Sequence, residues 1–271
     1  MSDARSAPVT VPKVRASKRR DGSTPLVMVT AYDAPSARIA DAAGVDLLLV
    51  GDSVANTVLG YEHTFQVTIE DMAHHTAAVA RARPRPLIVA DLPWMTYHLE
   101  PVDTLRNAAM LVRAGAEAVK LEGGHARVPM IEALVDAEIP VMGHLGLTPQ
   151  SVHALGGYRV QARDEVAANL LATDAKAIAA AGCFAVVLEG IPERVGEVVT
   201  EMLEVPTIGI GAGPDCDGQV LVFHDLVGLS PAVPKFVRRY ADIEKTAVEA
   251  VASFADDVRS GAFPSDAEVY H

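Results

Sequence analysis

The sequence predicts an α/β chain folded as a (β/α)8 TIM barrel, and three observations carry that prediction. Short apolar runs rich in β-branched residues alternate with helical stretches from Pro25 onward. Eight such runs follow one another with no hairpin turn between neighbours, which argues for an all-parallel sheet covered by helices. The 271 residues suit one closed barrel, a fold that takes about 250. A doubly wound open sheet is the runner-up. It calls for a Gly-rich fingerprint after its first strand, and Ala31-Tyr-Asp-Ala-Pro35 is nothing of that kind.

In order, residues 26–31 read as the first strand and 35–43 as a helix ended by Gly44. Residues 46–50 are the second strand, stopped by Gly51-Asp52-Ser53, and a long loop over 54–68 leads to a helix over 69–83. The third strand, 87–90, finishes in Asp91, and a helix over 102–114 runs through Gly115 into the fourth. That fourth strand, Ala118-Val-Lys-Leu-Glu122, alternates apolar and charged positions, so Lys120 and Glu122 share a face. The pair Gly123-Gly124 ends it. A helix over 128–137 precedes strand five, 140–143, which ends in His144. Residues 145–163 form a second long connection, then a helix over 165–181 and strand six, 185–188, ending in Glu189. Pro192 opens a helix to about 203, as proline is tolerated in a first turn. Strand seven is 206–210, strand eight 220–223, and residues 233–259 read as mainly helical.

Composition narrows the function classes. Half of the residues are hydrophobic and 21% are charged, as in a globular protein with a large core. No apolar run approaches the roughly 18 residues of a membrane span. The net charge of -12 argues against nucleic acid and against an anionic membrane surface. Cys183 and Cys216 show no metal or redox spacing, so a cytoplasmic, reduced protein with inert thiols is expected. Residues 1–22 stand apart as a flexible basic tail, with six Lys and Arg against two Asp. Pro8 and Pro12 are expected to interrupt any helix there. Residues 23–271 are read as one catalytic barrel with a C-terminal helical segment.

A barrel of this kind carries its active site where its strands finish. The finishing residues are Asp52, Asp91, Glu122, His144 and Glu189, and the first three leave neighbouring strands. Each carboxylate is read as sharing parity with an apolar residue two before it, Val50, Val89 or Val187, so that it can top an inward-facing column. Asp52 or Asp91 alone has an ordinary explanation as a helix cap or turn residue. Converging acids, however, repel one another unless a cation lies between them. Oxygen donors without a Cys or His cluster suit Mg²⁺ or Mn²⁺, whose remaining positions can chelate a 2-oxo acid. Lys120 suits an oxyanion or a carboxylate. Glu189, across the mouth, is a candidate general base, against the plainer reading of a pair with Arg159, Arg163 or Lys120.

Six motifs stand in register: Val50-Gly-Asp-Ser53, Ala90-Asp-Leu-Pro93, Lys120-Leu-Glu-Gly-Gly124, His144-Leu-Gly-Leu-Thr-Pro-Gln-Ser151, Gly156-Gly-Tyr-Arg-Val-Gln161 and residues 207–219. Through them the chain resembles the ketopantoate hydroxymethyltransferase (3-methyl-2-oxobutanoate hydroxymethyltransferase) family over nearly all of 26–262. The resemblance implies a (β/α)8 barrel that uses Mg²⁺ and 5,10-methylenetetrahydrofolate to add a hydroxymethyl group to 3-methyl-2-oxobutanoate. It yields 2-dehydropantoate, on the way to pantothenate, through a Mg-chelated enolate. By motif, Asp52 and Asp91 bind the metal and with it the substrate. Glu122 joins the metal shell directly or through water. Ser53 and Lys120 hold the substrate carboxylate, His144 lines the pocket and Glu189 is the base. The family also implies a homodecamer. Trp94-Met95-Thr96 and Phe65-Gln66 depart from the family pattern, which touches the pocket wall and the loop rather than a ligand or the base. A related Mg-dependent 2-oxo-acid lyase or mutase of the phosphoenolpyruvate mutase and isocitrate lyase type is the alternative, although neither cysteine sits in a reactive-loop setting.

Overall fold

The computed structural model describes residues 7–18 and 24–271. Two compact units divide the chain, the first ending at Val222 and the second running Phe223–His271.

The first unit is a closed barrel of eight parallel strands in sequential order, β8 pairing with β1. In chain order its elements are α1 (Val11–Ala16), β1 (Leu26–Thr30), α2 (Ala34–Ala42), β2 (Leu47–Val50), α3 (Val54–Thr57), α4 (Ile69–Arg81), β3 (Leu87–Asp91) and α5 (Pro101–Ala114). They continue as β4 (Ala118–Glu122), α6 (Val128–Asp136), β5 (Val141–Gly146), α7 (Glu165–Ala180), β6 (Ala185–Glu189), α8 (Glu193–Met202), β7 (Thr207–Ile210) and β8 (Gly218–Leu221). Local chemistry marks the boundaries. Asp33, Thr68 and Asp164 accept backbone N–H groups at the starts of α2, α4 and α7. Gly115 closes α5 in the left-handed conformation.

Strand alternation sorts the core into two layers. Leu47, Leu49, Leu87, Val89, Ala118, Met142, Ala185, Val187 and Ile208 pack inside the barrel. Their neighbours Leu48, Val50, Ile88, Ala90, Val119, Leu121, Val186 and Leu188 pack against the surrounding helices. One parity reading is thereby corrected. Val89 and Val187 lie in the inward columns below Asp91 and Glu189, but Val50 faces the helices. Asp52 reaches the site from the turn after β2, not as the top of an inward column.

Other differences lie at element ends. Strand eight is Gly218–Leu221 rather than 220–223, and strand five carries on through His144 to Gly146. The loop over 54–68 contains α3 and a 3-10 turn, Thr64–Gln66. Pro12 does not prevent a helix, because at the first turn of α1 its missing N–H is no loss. Within residues 7–18, Val14 is fully buried and joins Val9 in the cluster that fills the barrel interior. The Val9 N–H donates to the Arg85 carbonyl, and the Lys18 ammonium lies 2.8 Å from the buried Asp217 carboxylate. The basic residues Arg5, Arg19 and Arg20 lie outside the described residues.

In the second unit, the helical expectation over 233–259 shortens at its start. The helices are α9 (Phe223–Val227) and α10 (Ile243–Ser260), the latter capped by Asp242 and ended by Gly261 in the left-handed region. Val248, Val251, Phe254 and Val258 form an exposed apolar stripe along α10.

Candidate active site

Six side chains meet at the carboxyl ends of the strands, around one open cavity. Asp91, Lys120, Glu122, His144 and Glu189 arrive on β3, β4, β5 and β6, and Asp52 comes from the turn after β2. Ser53, Thr64 and Pro149 line the same cavity from loops. Adjacent parallel strands in register put Lys120 beside Asp91 and His144 beside Glu122. Gly51 makes the turn feasible, since a Cβ there would come within 2.8 Å of the Ser53 hydroxyl. Gly146 lets β5 pass β6, because a Cβ would press to 2.2 Å from the Glu189 carbonyl oxygen.

Two polar sub-clusters share the cavity. In the first, the Asp52 N–H donates to Asp91 Oδ2 at 3.0 Å, and Lys120 Nζ stands 3.1 Å from Asp91 Oδ1. In the second, His144 bridges two acids, with Nδ1 3.3 Å from Glu122 Oε1 and Nε2 3.2 Å from Glu189 Oε2. Lys120 Nζ joins the two at 3.1 Å from His144 Nδ1. Glu122 also accepts the Gln150 N–H on Oε2. Asp52, Asp91, Lys120, Glu122 and His144 are all buried, while the Glu189 side chain keeps 15% exposure towards the opening.

These surroundings decide the charge states. Burial, then the carboxylates of Asp91 and Glu122, push Asp52 up from 3.8 to about 8. Burial also raises Asp91, although Lys120 opposes the shift. Burial disfavours the Lys120 ammonium, but Asp91, Glu122 and Asp52 outweigh it and hold the group protonated. Burial and the Lys120 charge work against protonation of His144, yet its contacts with Glu122 and Glu189 prevail and bring it up to about 9. Glu122 is lowered, because the bond to His144 overcomes its burial.

Four acids therefore face one ammonium and one imidazolium, and Asp52 holds its proton at neutral pH. Asp91 Oδ1 and Glu122 Oε1 are buried without an aligned hydrogen bond, even though each has an ionic neighbour. Among the described residues, no group of three or more His, Cys, Asp and Glu side chains is arranged to hold a metal ion. Asp52 and Asp91 form a two-carboxylate corner, which is the donor set of a hard cation that keeps several waters or substrate oxygens. Glu122 turns towards His144 and Gln150 instead, so a direct bond to such a cation is not its geometry here.

Sequence reasoning missed Gln150 and Tyr97. Gln150 Nε2 donates to Asp52 Oδ2 at 2.8 Å and to the Leu92 carbonyl at 3.1 Å. The Tyr97 hydroxyl donates to Gln150 Oε1 and accepts the Glu122 N–H. Gln150 sits inside the motif beginning at His144, and that position in the motif was the available signal. Tyr32 was missed too; its hydroxyl lies 2.7 Å from the Ser53 hydroxyl.

A family model described as ketopantoate hydroxymethyltransferase matches residues 8–266. A 3-methyl-2-oxobutanoate hydroxymethyltransferase from Thermobifida fusca is 55% identical over 263 residues, covering 97% of this chain and 93% of the relative. A protein of the same name from Methylobacterium sp. is 57% identical over 246 residues, covering 90% and 85%. Among solved structures, a phosphonopyruvate hydrolase in complex with oxalate and Mg²⁺ superposes with a TM-score of 0.60 at 16% identity, covering 97% of this chain and 92% of that one. A phosphoenolpyruvate phosphomutase from Streptomyces platensis gives 0.61 at 17% identity, covering 93% and 88%. At that level of identity the likeness is one of fold.

Proposed function

The chain belongs to the ketopantoate hydroxymethyltransferase family, and on that premise we propose how its own residues transfer a hydroxymethyl group to 3-methyl-2-oxobutanoate, with 5,10-methylenetetrahydrofolate as donor and 2-dehydropantoate as product. The observation that carries the reading is the gathering of Asp52, Asp91, Glu122 and Glu189 with Lys120 and His144 around one cavity.

Asp52 and Asp91 would hold Mg²⁺, and Glu122 would support that corner from a distance through His144 and the Gln150 backbone. Bound there, the cation supplies Lewis acidity that makes the C3 hydrogen of a chelated 2-oxo acid removable. Lys120 and Ser53 grip the substrate carboxylate. An ammonium held protonated by three acids is a strong anion ligand and a poor amine nucleophile, which argues against a Schiff base. Glu189 is the general base. It is the acid most open to the cavity, and His144 fixes its carboxylate from the far side. Glu189 takes the C3 proton and the freed electron pair forms the new carbon–carbon bond to the one-carbon unit. Both C–N bonds of that unit break, water supplies the hydroxyl oxygen and protonates the two folate nitrogens, tetrahydrofolate leaves, and the proton on Glu189 passes to the new hydroxyl.

The exposed stripe on α10 supports assembly of several copies, which we read as a homodecamer. Among the described residues no helix is long and apolar enough to cross a membrane, and both cysteines are buried thiols. A cytoplasmic location fits those features. Mixing the protein with 3-methyl-2-oxobutanoate, methylenetetrahydrofolate and Mg²⁺ is expected to give ketopantoate by mass spectrometry. No product above the enzyme-free blank would overturn the reading.

A further inference from the structure

The loop wall beside the catalytic groups carries a cluster of rings that the chemistry above does not use. His63 and Phe65 stack with centroids 4.8 Å apart, and the His153 ring lies 5.1 Å from His63 and 5.0 Å from Phe65. Trp94 meets Phe65 edge-on at 5.9 Å. These rings come from three separate loops, after β2, β3 and β5, so only the closed barrel assembles them. Burial is incomplete: Trp94 stays 45% exposed, a large apolar face left to water.

The cluster adjoins the cavity directly. Thr64, between His63 and Phe65 in the chain, is a cavity-lining residue, and Trp94 is three residues past Asp91. The Thr64 hydroxyl is 3% exposed as a residue and has no hydrogen-bond partner. An unmet buried hydroxyl costs stability unless a ligand completes it. The wall therefore offers ring surface, stacked at His63 and Phe65 and tilted or edge-on at His153 and Trp94, with two unsatisfied hydrogen-bonding atoms beside it, the Thr64 hydroxyl and His63 Nδ1.

A planar heteroaromatic with polar atoms on its rim answers both needs. The acceptor is a five-carbon acid, whereas the one-carbon donor is several times larger. Its reactive carbon must come within about 3–3.5 Å of the attacking carbon, so the rest of the donor extends outward over a loop wall. We propose that His63, Phe65, Trp94 and His153, with the Thr64 hydroxyl, form the docking surface for the bicyclic pteridine ring of the donor. This rests on the reading that the donor is a reduced folate. It also gives a role to Phe65 and Trp94, two positions at which the chain departs from the family pattern and which meet in space.

Trp94 is the chain's single tryptophan, so the surface reports on itself. Tetrahydrofolate titrated into the full-length protein with Mg²⁺ is expected to quench its emission saturably, after correction for absorption against free N-acetyltryptophanamide. Trp94→Ala and Phe65→Ala are each expected to raise KM for methylenetetrahydrofolate by roughly tenfold, with the 2-oxo acid KM moving by less than about twofold. Trp94→Phe, which keeps a ring, is expected to restore most of the donor affinity. If the wild type makes ketopantoate but the emission does not respond to tetrahydrofolate, or neither Ala variant shifts the donor KM, the docking surface is refuted while the folate reading survives. Emission that follows protein dilution instead of tetrahydrofolate assigns the rings to contact with a second copy and likewise refutes it. Failure of the wild type to use methylenetetrahydrofolate at all removes the folate reading, and the inference falls with it.

Discussion

Gln150 hands one amide hydrogen to Asp52 Oδ2 at 2.8 Å while its carbonyl oxygen accepts the Tyr97 hydroxyl. A neutral side chain thus fixes the orientation of a proposed metal ligand, and its own backbone N–H steadies Glu122.

Gln150→Met keeps the length and removes both polar ends. Loss of a group that orients a metal ligand typically costs 10–100-fold in affinity or activity, so kcat/KM is expected to fall by about that range. Mg²⁺ titration of activity should show the half-saturating concentration rising in parallel. An unshifted Mg²⁺ requirement would show that Asp52 needs no such support.

Glu189→Gln preserves shape and hydrogen bonding to His144 but cannot take a proton. Exchange of the C3 hydrogen of 3-methyl-2-oxobutanoate with deuterium oxide is expected to slow by roughly a hundredfold or more. Binding of the 2-oxo acid, followed by calorimetry, should persist. Exchange at the wild-type rate would move the base elsewhere.

Asp52 makes stability depend on pH. Its folded value is raised from 3.8 to about 8 by burial and then by Asp91 and Glu122. Between those values the folded chain retains a proton that the unfolded chain has released, so stability falls as pH rises through that window. In Mg²⁺-free buffer at pH 7.5, Asp52→Asn is expected to gain about 1 kcal/mol, a Tm rise of roughly 2–4 °C. Near pH 4 the two proteins should melt together, and added Mg²⁺ should stabilise the wild type but not the variant. Thermal melts at the two pH values with EDTA or Mg²⁺ test all three statements.

Lys18 tests the N-terminal segment. Its ammonium is 9% exposed and faces an Asp217 carboxylate with no exposure, which Thr207 also contacts through its N–H. Removing one member of a buried pair takes away part of the compensation of the other charge, so Lys18→Met is expected to cost about 3 kcal/mol. Catalytic constants measured well below the lowered Tm should stay near wild type, because the pair lies at the opposite end of the barrel from the cavity. An unchanged Tm would mean that this contact contributes nothing.

The sequence by itself determined the barrel and much of its rim. Alternation along a strand is a local property of the backbone, so Ala118-Val-Lys-Leu-Glu122 already put Lys120 and Glu122 on one face, and the Gly-rich stops already marked where the strands finish. Asp91, His144 and Glu189 were legible for the same reason. Tertiary structure alone decided the rest. Turns and loops have no period, so nothing in Val50-Gly-Asp-Ser53 told that Val50 faces the helices while Asp52 swings back to meet Asp91. The bond from Gln150 to Asp52 spans 98 residues of chain, and the rings of Phe65, Trp94 and His153 come from three loops. Such partners are chosen by the closing of the sheet, which brings distant strand ends and their loops within reach of one another.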